Sequence, residues 1–244
     1  MKEKNDEQLR VGQAAKILGV SPQTVRNWEK LGRITSQRSP GGQRYYYLLE
    51  VQRLAVDLPK LAWAWASSAQ PPEIPSEYYC GQSDRFTSRL VKMGKSMEAA
   101  PGSQRERIVS LLTAVAAEIG DNSFAHNIGN WPDVIGIFFA YDVMKRMIVL
   151  ADRGQGVRAT LQRVRPDISS DVEALRIAFT ETLSGRSPEK RGNGLKLVKK
   201  IAETNPIGLT FTSGVAQATI PAHGNMRIAA ISQNVRGVVA VITF

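Results

Sequence analysis

Three short patterns in the second half of the chain bring together residue types suited to a phosphorylated, metal-bound ligand. The first is Glu118, Asn122 and His126, spaced by four so that they stack along one face of a helix. A carboxylate beside a carboxamide offers hard oxygen ligands to a hydrated Mg²⁺ and orients a water nucleophile. The second is Asp152-Arg153-Gly154-Gln155-Gly156, directly after an apolar run that reads as a buried strand. A carboxylate at a strand end accepts a hydrogen bond from an adenine amino group, and glycines let the backbone pass close beneath a base. The third, Arg191-Gly192-Asn193-Gly194-Leu195-Lys196-Leu197-Val198, is a Gly-rich loop that opens a helix. Free N–H groups at a helix start, with cations nearby, form a phosphate cradle. Singly, each pattern also fits an ordinary turn or a hydrogen-bonded core residue. Their order and spacing point to one site.

These residues need elements to carry them. Apolar periodicity predicts a long helix over 104–127, ended by Gly129-Asn130-Trp131-Pro132. Two buried strands are expected at 134–140 and 144–151, with a turn at Tyr141-Asp142, and a helix at 194–203. The chain closes with strand-like pieces at 209–212, 215–220, 227–232 and 238–244. Between the glycine patterns, 157–190 is long and polar and reads as a mobile lid. Helices and strands in mixed order predict an α+β sandwich.

The first 68 residues read differently. A short helix over 13–18 is stopped by Gly19. Ser21 as N-cap and Pro22 at the first helical position open a second helix that Gly32 ends. Gly41-Gly42 turns between two short extended pieces, and a third helix is predicted over 48–66. Trp63 and Trp65 on that helix are read as core. The stretch 67–76, with Pro71-Pro72 and Pro75, is the best linker candidate, followed by a helix near 85–97. On the second helix, Gln23, Thr24, Arg26 and Asn27 are placed to reach major-groove base edges. Arg38, Arg44 and Tyr45 on the Gly-Gly hairpin are placed to contact phosphate or minor groove.

Composition narrows the function classes. A net charge of +10 favours a polyanionic partner, nucleic acid before anionic membrane. Cys80 is the only cysteine, so an intrachain disulfide is excluded and a reducing cytoplasm is expected. With His126 and His223 the only histidines, a Cys/His zinc site is excluded. The N-terminus has no apolar core like that of a signal peptide. The apolar runs 61–66 and 134–141 are too short to span a bilayer.

Glu118, Asn122 and His126, then Asp152, Gly154 and Gly156, then Gly192, Gly194 and Leu195, resemble the asparagine box and two glycine boxes of the GHKL (Bergerat-fold) ATPases. That resemblance covers 105–244. It implies ATP and Mg²⁺ as cofactors, Asn122 as the metal residue, Asp152 as the adenine reader, and a phosphate loop at Gly192–Gly194. It also implies Glu118 as the catalytic group if ATP is hydrolysed. The absence of a His ahead of the asparagine box argues against an autophosphorylating kinase, and no segment matches a gyrase- or MutL-like transducer. Arg153 and Gln155 within the glycine box, and the extra strand pair at 215–232, depart from the family's kinases.

The Gly19-Val20-Ser21 turn, the run Thr24-Val25-Arg26 to Gly32 with Trp28 and Glu29, and the Gly42-x-Arg44-Tyr45 wing resemble the winged helix-turn-helix of MerR regulators. The long dimerising helix usual after that head is missing. The expected organisation is therefore a DNA-binding domain over 1–68, a linker and helical connection over 69–104, and an ATP-binding domain over 105–244. The reading is a cytoplasmic transcription regulator of double-stranded DNA whose nucleotide state tunes DNA or partner binding, with a homodimer and a protein partner left open. Two alternatives stand beside it: an anti-sigma-like serine/threonine protein kinase with a DNA-binding head, and a toxin–antitoxin or defence component.

Overall fold

A computed structural model of the protein describes residues 7–99, 105–182 and 193–244. They divide into two compact units, Met1–Asp57 and Leu58–Phe244. Both are α+β, and each carries an antiparallel sheet.

In the first unit a short strand β1 (Gln8–Leu9) precedes α1 (Val11–Leu18) and α2 (Pro22–Lys30). Gly19 ends α1 in the left-handed region (φ 66°), where a side chain would be strained. The Ser21 side chain accepts the Thr24 N–H, and Pro22 fills the first turn, which has no need of an amide donor. Strands β2 (Gln37–Arg38) and β3 (Arg44–Tyr47) form the wing, and β1 pairs on the other side of β3. Helix α3 (Leu48–Ala55) completes the head. Its core is Leu9, Ala14, Ala15, Val25, Ile34, Tyr46 and Val51.

The helix predicted over 48–66 is two helices. Pro59 has no N–H for the Ala55 carbonyl, and its ring would collide with that turn. The chain therefore breaks at Val56-Asp57, and α4 (Leu58–Ser67) starts afresh as part of the second unit. The expected boundary at 68 moves back to Asp57. The segment read as linker and helical connection, 69–104, belongs to the second unit. Within it, β4 (Tyr79–Cys80) and α5 (Ser83–Glu98) supply Cys80, Phe86, Leu90, Met93 and Met97 to the main core.

The second unit is built on a five-stranded sheet. Its strands are β4, β5 (Ile137–Asp142), β6 (Met147–Asp152), β8 (Arg227–Thr243) and β7 (Gly208–Ile220), in that spatial order. The strands expected at 134–140 and 144–151 are displaced toward the C-terminus, and their turn falls at Val143–Arg146. Asp142 explains this: its carboxylate accepts the N–H groups of Met144 (2.9 Å) and Lys145 (2.8 Å) and so initiates the turn. The four terminal pieces merge into the long pair β7 and β8, with a register shift at Ser213/Gly214.

Alternation along the strands sorts their residues into two faces. Ile137, Phe139, Ile148, Leu150, Ala240, Ile242, Leu209 and Phe211 join the core beneath α5, α6 (Arg105–Asn127), α8 (Asp171–Thr180) and α9 (Gly194–Thr204). On the opposite face α4 packs against β5, β6 and β8. Its Trp65 is buried and lies 6.4 Å from the Phe138 ring. The sheet is thus covered on both sides, which adds a helical layer to the expected sandwich.

The region read as a lid contains α7 (Gly156–Gln162) and α8. Leu161, Ile168, Ala174 and Ile177 form a satellite core there, so 156–180 is packed structure. Residues 183–190 of that region, and Gly192, lie outside the described residues. Helix α6 has a stretch, Arg107–Asn127, whose length and mean hydropathy of 1.2 would suffice to cross a membrane. Its Val109, Leu112, Val115, Ala116 and Ile119 are instead buried in the main core. The runs counted in the sequence were continuous ones, and α6 reaches this hydropathy with polar residues interspersed.

Candidate functional site

Helix α6 brings the patterned residues together in two adjacent rows. Glu118, Asn122 and His126 form a half-buried row, as their spacing predicts. Gly194, the first residue of α9, sits against it. A methyl group there would collide with the Glu118 carboxylate and lie 3.3 Å from Asn122 Nδ2. Glycine at this position leaves the start of α9, with its free N–H groups, open beside a carboxylate and a carboxamide. Leu195 is half-buried and packs on the main core, which makes it an anchor for α9.

The next row is Ile119, Ser123 and Asn127, all buried. The Ser123 hydroxyl donates to Asp152 Oδ2 at 2.7 Å. The Gly154 N–H donates to Asp152 Oδ1 at 2.8 Å, and a backbone N–H from Val238 adds a third bond. Asp152 is only 2% exposed, and burial pushes its carboxyl above the usual range while these three donors pull it back. Two carboxylate oxygens accept about four hydrogen bonds, so one acceptor position remains after the three. Asn127 locks the following turn, accepting the Gln155 N–H (2.9 Å) and donating to the Ser123 carbonyl (2.8 Å). Gly154 has no room for a side chain because Asn127 lies on it.

Asp152, Gly154 and Gly194 therefore all meet side chains of α6, the helix that carries Glu118 and Asn122. Gly156 adopts φ 78° and lies against the Arg236 carbonyl and Ser213. Ser213 Oγ bridges the Val157 N–H (3.0 Å) and the Gly237 carbonyl (2.8 Å), fixing the start of α7 to the sheet.

Sequence reasoning missed Ser123, Asn127, Ser213 and Gly237. Ser123 and Asn127 had a readable signal, since they repeat the four-residue spacing one step further round the helix. Gly237 had another: a glycine inside an otherwise Val- and Ala-rich strand marks a close approach. A side chain at Gly237 would strike the Asp152 carboxylate and approach Gly154 N within 2.7 Å. Among the described residues no group of three or more His, Cys, Asp or Glu side chains is placed to hold a metal. A cation here would take Asn122 and Glu118 oxygens and complete its shell from water or ligand phosphate, the pattern that suits Mg²⁺.

The head presents a separate surface. Gln23, Arg26 and Asn27 are exposed along α2 and mutually ordered, with Gln23 Nε2 to Asn27 Oδ1 at 3.1 Å and Arg26 Nη1 to Gln23 Oε1 at 3.4 Å. Thr24 is half-buried, its hydroxyl 2.9 Å from Ser21 Oγ in the N-cap. Arg38 is exposed on the wing directly opposite Arg44, whose Nε lies 3.5 Å from Glu29 Oε1. Tyr45 is half-buried and meets the Tyr47 ring edge-on at 5.9 Å.

Residues 7–57 hold eight Lys and Arg against four Asp and Glu. Two of those acids work internally: Glu29 accepts from Ser36 (2.6 Å) and Tyr46 (3.0 Å), and Glu50 accepts from Thr35 (2.8 Å). The Ser36 hydroxyl and the nearby arginines hold the Glu29 carboxyl below its usual range. The acids knot helix to wing and leave the outer surface cationic, as a phosphate-binding face requires.

Residues 10–46 match the family described as "MerR family regulatory protein". The head is therefore a MerR-family helix-turn-helix domain, a DNA-binding module of transcription regulators. Neither curated proteins nor solved structures give any match to the chain.

Proposed function

We propose that the protein is a cytoplasmic transcription regulator in which a MerR-type head binds double-stranded DNA and the second unit binds ATP with Mg²⁺. Nucleotide occupancy then tunes DNA or partner binding. The observation that supports the nucleotide reading is that Asp152, Gly154 and Gly194, distant in sequence from α6, gather along that helix, which carries Glu118 and Asn122. In this reading the remaining acceptor position of Asp152 takes the adenine amino group. Asn122 holds Mg²⁺, and the opening of α9 receives phosphate through its free N–H groups. In this reading Glu118, which lies against Gly194, orients a water if the triphosphate is hydrolysed. These roles are the ones implied by the Bergerat resemblance of the three boxes.

Coupling is tested by titrating a labelled duplex, selected for binding by the full chain, with and without ATP and Mg²⁺. The expected result is a nucleotide-dependent change in affinity or stoichiometry. Identical curves in both conditions would remove the tuning while leaving the two binding sites in place.

A further inference from the structure

Asp152 and Arg153 are consecutive at the end of β6, and the two-residue period of a strand sends them to opposite faces of the sheet. On one face Asp152 meets α6 through Ser123. On the other, Arg153 is fully buried, the largest side chain to be so among the described residues. Its Nε donates to both oxygens of Asp133, each at 3.1 Å, and Nη2 adds a third bond to that carboxylate. Nη1 donates to the carbonyls of Trp65 and Ser68, the latter at 2.8 Å, and Nη2 reaches the Ala69 carbonyl at 3.4 Å. Arg236, beside Gly237, places a second cation 2.6 Å from Asp133. These contacts hold the Asp133 carboxyl below its usual range, chiefly through the hydrogen bonds from Arg153.

Trp65 lies in the last turn of α4, and Ser68 and Ala69 follow directly. The Arg153 guanidinium thus caps the end of a helix, where the final carbonyls lack intrahelical donors. Its planar fork has fixed geometry and a charge that must stay paired when buried. Movement at 152–154 must either break several charge-assisted bonds or carry the end of α4 along. Only Val56 and Asp57 separate α4 from α3 of the head in the chain.

We propose that Arg153 is a positioning residue that couples Asp152 to the C-terminal end of α4, so that nucleotide bound against Asp152 tightens residues 64–69. This rests on the nucleotide reading above. Coupling of this kind is reciprocal: an α4 end that nucleotide tightens must, when loosened, weaken nucleotide binding by the same factor.

The test is hydrogen–deuterium exchange on the full chain, with and without a non-hydrolysable ATP analogue and Mg²⁺ at a concentration shown by calorimetry to saturate. Amides at 64–69 are expected to exchange several-fold more slowly with the analogue bound. Arg153→Lys keeps the charge but loses the fork. It is expected to bind the analogue about tenfold more weakly and to show no protection at 64–69. If Arg153→Lys loses its cooperative melt, Asp133→Asn takes its place, with the same expectation. Binding heat in the wild type with unchanged exchange at 64–69 would overturn the coupling and leave the nucleotide site standing. Full protection and affinity in the variant would overturn it equally. No binding heat in the wild type would remove both.

Discussion

Arg26 and Arg38 carry the same charge on the same head, and the proposed DNA reading gives them different work. Arg26 is held by Gln23 on the exposed face of α2, where a side chain reads base edges. Arg38 stands on the wing, where contacts go to the backbone. Arg26→Ala should therefore cost about 1–3 kcal/mol on a preferred duplex and relax its sequence preference. Arg38→Ala should weaken binding about equally on all sequences and lower the salt slope by about 1. Binding titrations at several salt concentrations on preferred and scrambled duplexes separate the two. At this scale much of both surfaces was legible, because spacing by four places Glu118, Asn122 and His126 together whatever surrounds the helix. The partners beneath were not. Ser123 matters only because Asp152 lies opposite it, and no local pattern states which strand end a helix will cover.

Among the elements, the knot between α2 and the wing has a measurable pH signature. Tyr46 donates to Glu29, and burial with that bond pushes its phenol from 10.0 to about 12. The folded value lies above the unfolded one, so the neutral phenol stabilises the head fully below pH 10.0 and this stabilisation is lost as pH rises toward about 12. Urea denaturation of wild type and Tyr46→Phe should show a stability gap that is constant near neutrality and closes across that alkaline window. A gap that stays constant through it would contradict the Tyr46–Glu29 bond. Helix existence was readable throughout from apolar spacing and caps such as Ser21 and Gly19. The breaks were harder. Periodicity at Val51, Leu54, Leu58 and Leu61 continues across Val56-Asp57, and Pro59 alone marks the stop. Likewise 157–182 reads as polar because its polar and charged residues together outnumber its apolar ones, yet Leu161, Ile168, Ala174 and Ile177 suffice for a small core.

At the scale of the whole molecule, the positive charge is shared. Residues 7–57 carry a surplus of four cations, and residues 58–244 carry 22 Lys and Arg against 16 Asp and Glu, a surplus of six. Each unit thus favours an anionic ligand independently, as a DNA reader joined to a triphosphate site would. The boundary between them was misplaced in the sequence because Pro71-Pro72 is the more conspicuous breaker, while α4 is claimed by the sheet through Trp65 and Arg153.

The central claim is that the second unit holds ATP at Asp152. Calorimetric titration of the full chain with a non-hydrolysable ATP analogue and Mg²⁺ tests it most directly. A saturable one-site isotherm is expected for the wild type and none for Asp152→Asn, whose DNA affinity without nucleotide should be unchanged. No saturable heat in the wild type, or an Asp152→Asn isotherm equal to it, would contradict the account.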